Sequence, residues 1–302
     1  MKHWIRLSRP EFHTVGLFPL VLGAVAGFRV SGNFEPMALL LALLATMLIM
    51  LVTYWTGEVY DYEVDVLSAQ LEKNRFSGGT LVLQSTGLPR EKVLKASLTA
   101  AVITLLAGVG LSWGMGYGPS LFLAGAVGAV MGFFYSTPPF RWAYRGLGEV
   151  FIAIAYGWLP VAVGYYLHVR EWDLAAVLTY GTPVAISIFM VILINEFPDY
   201  PADRQVAKRN LVVRLGREGA ARLYALASAA FVLSLLIPAF AGERAFLYAL
   251  PALPLAVFNG LEVLRGGWRD RNRLERTCGL TIVLNIATSL LLVAGLLIGQ
   301  GR

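Results

Sequence analysis

Residues Met37 to Asp65 read MALLLALLATMLIMLVTYWTGEVYDYEVD, a long apolar run that passes directly into a cluster of acids. The apolar part approaches the roughly 20 residues that an α-helix needs to cross a bilayer. On a helix that continues from this run, Glu58, Asp61 and Asp65 are spaced i, i+3 and i+7 and lie on one face. Like charges placed in this way repel one another, so we expect a cation beside them. The alternative is an ordinary solvated helix end.

The rest of the chain is equally apolar, since 57% of its 302 residues are hydrophobic and only 15% are charged. Soluble domains usually carry about 25% charged residues. The sequence therefore predicts an all-α polytopic membrane protein, with residues 1–302 forming a single membrane-embedded domain. Nine spans are predicted, of which the fourth is the shortest: His13–Val30, Met37–Trp55, Val93–Trp113, Ser120–Phe134, Val150–Leu167, Leu174–Ile194, Ala220–Ala241, Ala245–Leu264 and Leu280–Ile298.

The basic residues predict the orientation of these spans. With the N-terminus inside, every lysine and arginine falls on the cytoplasmic side except Arg29, Arg170, Arg244 and Arg302. This is the pattern of the positive-inside rule, and it predicts a protein of the cytoplasmic membrane with its C-terminus outside. The net charge of +6 thus reflects topology and not nucleic-acid binding. The basic N-terminus leads into the first span without a small-residue cleavage site, which predicts a retained helix.

A second acidic stretch, NEFPDYPADR, follows the sixth span. Asp199 and Asp203 lie 138 residues after Asp61 and Asp65, and four spans separate the two clusters, so both face the cytoplasm. This spacing predicts a parallel internal repeat of four helices with a ninth helix added.

The backbone of the second acidic stretch is predicted to be less regular than that of the first. Pro198 and Pro201 each lack an N–H, and Pro198 is placed to end or kink the sixth span. Asp199 and Asp203 therefore need not share a helical face. A broken backbone suits a chain end that faces a polar cavity.

Two acidic clusters on one membrane side suit Mg²⁺, which is usually held by one or two carboxylates together with substrate phosphates. A pair of such sites can clamp a diphosphate and stabilise it as it leaves. The candidate metal ligands are Glu58, Asp61, Asp65, Asn195, Glu196, Asp199 and Asp203. The flanking cations Lys73, Arg75, Lys208 and Arg209 are candidates for the remaining phosphate charge, unless they serve only the topology signal.

The spacing of Glu58, Asp61 and Asp65, followed by Asp199-x-x-x-Asp203, resembles the UbiA superfamily of intramembrane prenyltransferases over nearly the whole chain. The first motif of that family reads NDxxDxxxD. Here glycine replaces the asparagine, which removes one side-chain oxygen, and Glu58 replaces the first aspartate but keeps a carboxylate.

Three further stretches are similar to one branch of the superfamily, the 1,4-dihydroxy-2-naphthoate polyprenyltransferases of menaquinone synthesis. They are FSGGTLVL (Phe76–Leu83), YRGLGEVF (Tyr144–Phe151) and NEFPDYPADRQVAKRNLVVRLG (Asn195–Gly216). The resemblance implies a helical bundle around a central cavity open to the cytoplasm. It implies Mg²⁺-dependent transfer of a polyprenyl group from a prenyl diphosphate to an aromatic acceptor. No obligate protein partner is expected.

The resemblance also implies roles for individual side chains. Tyr135 joins the four aspartates as a catalytic candidate, and Arg141 and Arg145 join the candidate diphosphate ligands. Candidates for the acceptor or prenyl pocket are His13, Tyr54, Glu149 and Tyr156. Ionisable groups within membrane segments are functional candidates, and aromatic faces can stabilise an allylic cation. Packing and interface positions are the alternative for these aromatics.

Two other functions stay open at this point. One is a related prenyltransferase with a different acceptor: 4-hydroxybenzoate, homogentisate, a chlorophyllide or a lipid glycerol. The other is a secondary transporter, which would explain a repeat and a broken sixth span. Transporter sites usually lie near the bilayer midplane, whereas both acidic clusters here fall at the cytoplasmic edge.

Overall fold

The computed structural model describes residues 2–72 and 74–299, and every regular element within them is helical. The predictions for Lys73 and Arg302 lie outside the described residues. In chain order the helices are α1 (Lys2–Leu7), α2 (Pro10–Ser31), α3 (Pro36–Tyr60), α4 (Tyr62–Leu71), α5 (Val82–Thr86), α6 (Arg90–Gly114), α7 (Pro119–Phe133), α8 (Gly148–Val169), α9 (Leu174–Gln205), α10 (Leu211–Phe240), α11 (Arg244–Leu264) and α12 (Arg271–Ile298).

Eight of the described helices are long and apolar enough to cross a membrane: α2, α3, α6 and α8 to α12. The predicted fold class, an all-α polytopic membrane protein, is confirmed. The number of full-length spans is one lower than predicted, because α7, the expected fourth span, has only 15 residues. A crossing needs about 20 residues.

Helices α2 and α8 approach each other so closely that their backbones touch. A Cβ atom added to Gly23 would lie 2.0 Å from the carbonyl oxygen of Val161. One added to Gly164 would lie 2.1 Å from the carbonyl oxygen of Leu20. Small residues permit such contacts between membrane helices, where van der Waals packing is a main source of association energy.

Helix α9 runs without interruption from Leu174 to Gln205, although Pro183, Pro198 and Pro201 lie inside it. The chain break considered at Pro198 is absent from this described segment. Proline has a φ close to that of a helix, and neighbouring helices can compensate for the lost hydrogen bonds in a membrane bundle. Asp199 and Asp203 are therefore four residues apart on one helix and share a face.

The first acidic cluster was predicted to lie on one continuous helix, but the structure has a helix junction within it. Helix α3 ends at Tyr60 and α4 begins at Tyr62, with Asp61 between them at φ −96° and ψ 8°. The helical hydrogen bonds nevertheless continue across the junction, since the amide of Asp65 donates to the carbonyl of Asp61 at 2.9 Å. The three carboxylates thus stay together, at the end of the bundle where α9 also ends.

Candidate active site

Asp61 is fixed by the segment that joins α7 to α8. Its Oδ2 accepts a hydrogen bond from the Ser136 hydroxyl at 2.5 Å, and its Oδ1 accepts one from the Tyr144 hydroxyl at 2.7 Å. Neither donor was predicted as a site residue, although Ser136 directly follows the catalytic candidate Tyr135 and Tyr144 begins the stretch YRGLGEVF. The junction between α3 and α4 is therefore connected to the segment that also contains Tyr135 and Arg141.

Asp65 is buried beside two other carboxylates. Burial raises its pKa to about 8, and the charges of Asp61 and Glu58 contribute in the same direction. The backbone of Gly79 passes directly over it, because a Cβ atom at Gly79 would lie 1.9 Å from Asp65 Oδ2. This position thus favours binding of a cation, which would relieve the repulsion among the three acids.

Asp199 brings the two acidic clusters together. Its Oδ1 accepts a short hydrogen bond from the hydroxyl of Ser68 in α4, and its Oδ2 accepts one from the amide of Gly78 at 2.9 Å. Gly78 belongs to residues 74–80 (NRFSGGT), which we call the 74–80 loop. At the base of this loop, the side-chain amide of Asn74 lies 3.7 Å from Sγ of the buried Cys278.

Asp203 faces a partly buried lysine from the chain segment that follows α9. The Nζ atom of Lys208 lies 3.4 Å from Asp203 Oδ1, and the side-chain amide of Asn210 donates to Asp203 Oδ2 at 2.7 Å. Burial alone would lower the pKa of Lys208. The charges of Asp203 and Asp61 outweigh burial and raise that pKa well above its usual value. Lys208 is therefore a cation held between carboxylates from both clusters.

Glu58 is fully engaged with other protein groups. Arg9 donates from Nη2 to its Oε1 at 2.9 Å, and Thr80 donates from its amide and its hydroxyl at 2.7 and 2.9 Å. The Glu58 side chain has no exposed surface. Sequence spacing does not identify Arg9 or Thr80 as partners of Glu58. The position of Arg9 is also explained by the positive-inside rule, without any role in the site. Glu58 thus joins α3 to the 74–80 loop and to the start of α2.

The remaining predicted metal ligands and Tyr135 form an adjacent buried group. Glu149 accepts a hydrogen bond from the amide of Leu211 at 2.5 Å, at the start of α10. Within the described chain, Glu149 Oε2, Glu196 Oε2 and Asn195 Oδ1 are buried oxygens without a hydrogen-bond donor. Burial raises the pKa of Tyr135 well above its usual value, and the nearby Glu196 adds to this effect.

The predicted diphosphate-binding cations are distributed unevenly. Arg141 lies close to the site, with its guanidinium carbon 3.7 Å from the centroid of the Tyr144 ring. Arg145 and Arg209 are exposed at the edge of the same region. Arg75 is also exposed and lines a different pocket, between the 74–80 loop and the N-terminus. Lys208 and Arg141 are therefore the predicted cations that the structure places closest to the aspartates.

The predicted pocket aromatics form one cluster in the middle of the bundle. Tyr156 is buried there, and Tyr54 and Tyr135 pack against the same cluster. The ring of His13 lies 5.8 Å from that of Tyr54, in an edge-on arrangement. The fourth predicted pocket residue, Glu149, lies instead with Leu211. The structure thus brings three of the four pocket candidates together.

A cavity of about 410 Å³ extends from this cluster between α3, α6, α7 and α8. Its walls are almost entirely apolar, and Thr53, Tyr135 and Tyr156 contribute to them. Gly125 of α7 lines the same cavity, and a Cβ atom there would meet no atom within 4 Å. The cavity has the size and chemistry to hold a hydrocarbon chain.

The carboxylates fit Mg²⁺ by their chemistry. Hard cations prefer oxygen ligands, and the site offers carboxylate and amide oxygens, some of them buried without a donor. In residues 2–72 and 74–299, no three His, Cys, Asp or Glu side chains are arranged so that they could hold a metal together. The aspartates accept hydrogen bonds from Ser68, Ser136, Tyr144 and Asn210 instead.

Fold and site together define a membrane-embedded enzyme with an acidic centre at one end of an apolar cavity. The model of the UbiA prenyltransferase family matches residues 16–287. The chain belongs to this family and is a prenyltransferase. Membership of a prenyltransferase family argues against the transporter alternative. The continuous helix α9 does so too, because that alternative was based on a broken sixth span.

Two relatives and one solved structure are similar to most of the chain. The 2-carboxy-1,4-naphthoquinone phytyltransferase of Synechocystis is 25% identical, covering 97% of this chain and 92% of its own length. The 1,4-dihydroxy-2-naphthoate octaprenyltransferase of Bacillus subtilis is 28% identical, covering 73% and 68%. The structure of a UbiA homologue from Archaeoglobus fulgidus bound to GPP and Mg²⁺ matches with a TM-score of 0.66 at 20% identity, covering 97% and 99%.

Proposed function

We propose that this protein transfers a polyprenyl group from a prenyl diphosphate to 1,4-dihydroxy-2-naphthoate, with Mg²⁺, in menaquinone biosynthesis. The observation that carries the proposal is the meeting of both aspartate pairs near Lys208, beside the apolar cavity that Tyr135 lines. The named activities of both relatives support a carboxylated naphthalene ring as the acceptor. We further propose that this end of the bundle faces the cytoplasm of a bacterial cell, with the N-terminus inside and the C-terminus outside.

The protein's own charged groups bind the diphosphate. Lys208 and Arg141 supply positive charge, with Arg145 and Arg209 at the edge. Asp61, Asp65, Asp199 and Asp203 would hold Mg²⁺, with Asn195 and Glu196 beside them. When bound, the metal neutralises the negative charge that develops on the leaving diphosphate. The metal role predicted for Glu58 is replaced in this proposal by an anchoring role, because its oxygens accept bonds from Arg9 and Thr80.

Two chain segments cover the aspartates and exclude water. The 74–80 loop donates from Gly78 to Asp199, and the segment after α7 donates from Ser136 and Tyr144 to Asp61. An allylic cation reacts readily with water, so a covered site favours transfer to the acceptor. The apolar cavity takes the prenyl tail, and the faces of Tyr54, Tyr135 and Tyr156 are suited to stabilise the cation.

The test is to incubate the purified full-length chain with geranyl or longer prenyl diphosphates and a panel of aromatic acceptors. With 1,4-dihydroxy-2-naphthoate we expect a prenylated naphthoquinol, with pyrophosphate released from the donor and CO₂ from the acceptor, and none of these products after Mg²⁺ is removed with EDTA. The 4-hydroxybenzoate, homogentisate, chlorophyllide and lipid-glycerol acceptors should give no product. Preferential prenylation of any of these would replace the proposed acceptor, and full turnover in EDTA would overturn the metal requirement.

A further inference from the structure

A second pocket, of about 560 Å³, lies at the end of the bundle opposite the aspartates. It is formed where α2 and α12 end and where α9 and α11 begin. Asp199 and Asp203 lie at the other end of α9. We call this site the distal pocket. Its lining does not overlap with that of the apolar cavity.

The distal pocket gathers cations that the topology pattern does not explain. Arg29 and Arg244 both line it, and both are exceptions to the predicted positive-inside pattern. A third exception, Arg170, has contacts of its own, since it donates to the carbonyl of Gly116 at 3.2 Å and lies over the ring of Tyr117. Over the part of the chain that the structure describes, Arg29 and Arg244 form no ion pair. Their charges are therefore available to a ligand.

Two acids among the described lining residues balance these cations. Asp173 is committed to the protein, because its Oδ1 accepts from the amide of Ala176 at 3.0 Å and its Oδ2 accepts from the Tyr165 hydroxyl at 3.3 Å. Glu243 is exposed, and its Oε2 accepts from the Tyr180 hydroxyl at 3.3 Å. Its second oxygen, Oε1, is thus left to bind a donor from outside the protein.

Unpaired charges of both signs in one pocket fit a zwitterion. Guanidinium groups bind phosphate oxygens through charge-assisted hydrogen bonds, which suits Arg29 and Arg244 to a phosphate ester. Glu243 can accept a hydrogen bond from a primary ammonium group, whereas a choline group has no N–H to donate. A ligand with phosphate alone would meet uncompensated repulsion from the two acids.

The surface around the distal pocket is apolar. Val30 lines the pocket, and about two thirds of its surface is exposed, at 67%. Leu297 and Ile298, which precede the lining residue Gly299, are also more than half exposed. In a membrane bundle such side chains face lipid tails, which are as apolar as leucine. The pocket is therefore placed to receive the headgroup of a lipid whose chains lie on this surface.

We propose that the distal pocket binds phosphatidylethanolamine, with its phosphate at Arg29 and Arg244 and its ammonium group at Glu243. The bound lipid connects the end of α2 with the start of α11. The inference does not depend on the proposed function, because the length of α9 separates the pocket from the aspartates.

Native mass spectrometry of the full-length chain measures lipid binding without any substrate. The chain would be released from detergent micelles that contain phosphatidylethanolamine, phosphatidylcholine or phosphatidylglycerol, all with oleoyl chains. We expect one phosphatidylethanolamine to bind more tightly than either other lipid. Arg29→Gln/Arg244→Gln should bind it about tenfold more weakly, the loss expected for one charge-assisted hydrogen bond. Lys92→Gln/Lys95→Gln, which removes two exposed cations at the start of α6, is the matched control and should bind it normally.

Glu243→Gln tests the ammonium end of the site. It should remove most of the preference for phosphatidylethanolamine over phosphatidylglycerol, because the glycerol headgroup carries no ammonium. Unchanged binding in the double arginine variant would overturn the inference. Equal affinity of the wild type for phosphatidylethanolamine and either other lipid would also overturn it. Displacement by an equal concentration of glycerophosphoethanolamine, which lacks the acyl chains, would assign the pocket to a soluble zwitterion and not to a lipid.

Discussion

The guanidinium of Arg9 and the carboxylate of Glu58, 49 residues apart in the chain, form an ion pair of 2.9 Å, with the glutamate side chain fully buried. Arg9 also donates to the carbonyl of Gly78 at 3.0 Å. The pair therefore holds the start of α2, the end of α3 and the 74–80 loop together. Its importance can be tested apart from catalysis.

We expect Arg9→Met to lower stability by about 3 kcal/mol, because breaking a buried ion pair leaves an uncompensated charge. This is the lower end of the usual range, since a quarter of the Arg9 side chain is exposed. The double variant Arg9→Met/Glu58→Gln should recover part of the loss. Thermal unfolding in nanodiscs measures both effects. A melting temperature of Arg9→Met equal to that of the wild type would contradict the anchoring role.

Glu58→Gln should leave the Mg²⁺ concentration for half-maximal turnover unchanged, because Glu58 is committed to Arg9 and Thr80. The measurement is an Mg²⁺ titration of turnover in the wild type, in Glu58→Gln and in Glu58→Gln/Gly57→Asn. A raised Mg²⁺ requirement in the single variant, relieved by the asparagine, would restore the ligand role that the motif spacing predicts.

Asp→Asn at position 61, 65, 199 or 203 should lower kcat by about 10²-fold or more, comparable to the loss of one key electrostatic group. The substitution preserves shape, so the protein should still fold. Asp173→Asn is the matched control: Asp173 caps the other end of α9, and asparagine caps equally well. Near-normal turnover in Asp61→Asn or Asp199→Asn at saturating Mg²⁺ would rule out the two-cluster mechanism.

Lys208→Gln should raise the KM for prenyl diphosphate by about tenfold, because it removes the cation held between Asp203 and Asp61. The KM for the acceptor should change little. Arg204→Gln, which removes an exposed cation in the last turn of α9, is the control. An increase confined to the KM for the acceptor would place Lys208 in the acceptor site and not in the diphosphate site.

Gly125→Leu should shorten the prenyl chain that the enzyme accepts. A leucine there fills open space in the apolar cavity without a backbone clash. Turnover with geranyl diphosphate should persist, while turnover with octaprenyl diphosphate should fall at least tenfold. Val127→Leu, an exposed change on α7 outside the cavity, is the control. Equal loss with both diphosphates would mean that the tail lies elsewhere.

Sequence reasoning found the parts of this protein that depend on composition and spacing. Apolar runs located the helices, and the 138-residue offset paired two clusters that meet at Asp199 and Ser68. The fourth span, predicted over Ser120–Phe134, matches α7 at Pro119–Phe133, but its 15 residues are too few for a full crossing. The continuity of α9 through Pro198 was not foreseen, since it depends on packing against neighbours.

The partners of the carboxylates could not be predicted. Ser136, Tyr144 and Thr80 are common polar residues with no distinctive spacing, and only the folded chain brings them to the acids. The role of Arg9 in the site could not be predicted either. A basic residue at the cytoplasmic end of a span satisfies the positive-inside rule, whether or not it also pairs with a carboxylate.

Cys278 makes the 74–80 loop observable by thiol chemistry. It is the only cysteine in the sequence, it is buried, and it contacts Asn74 at the base of the loop. A buried thiol reacts with alkylating reagents only when the structure over it opens. The wild-type chain therefore carries a native probe of loop opening, and its alkylation rate with and without bound diphosphate would give the frequency of that motion without any engineered label.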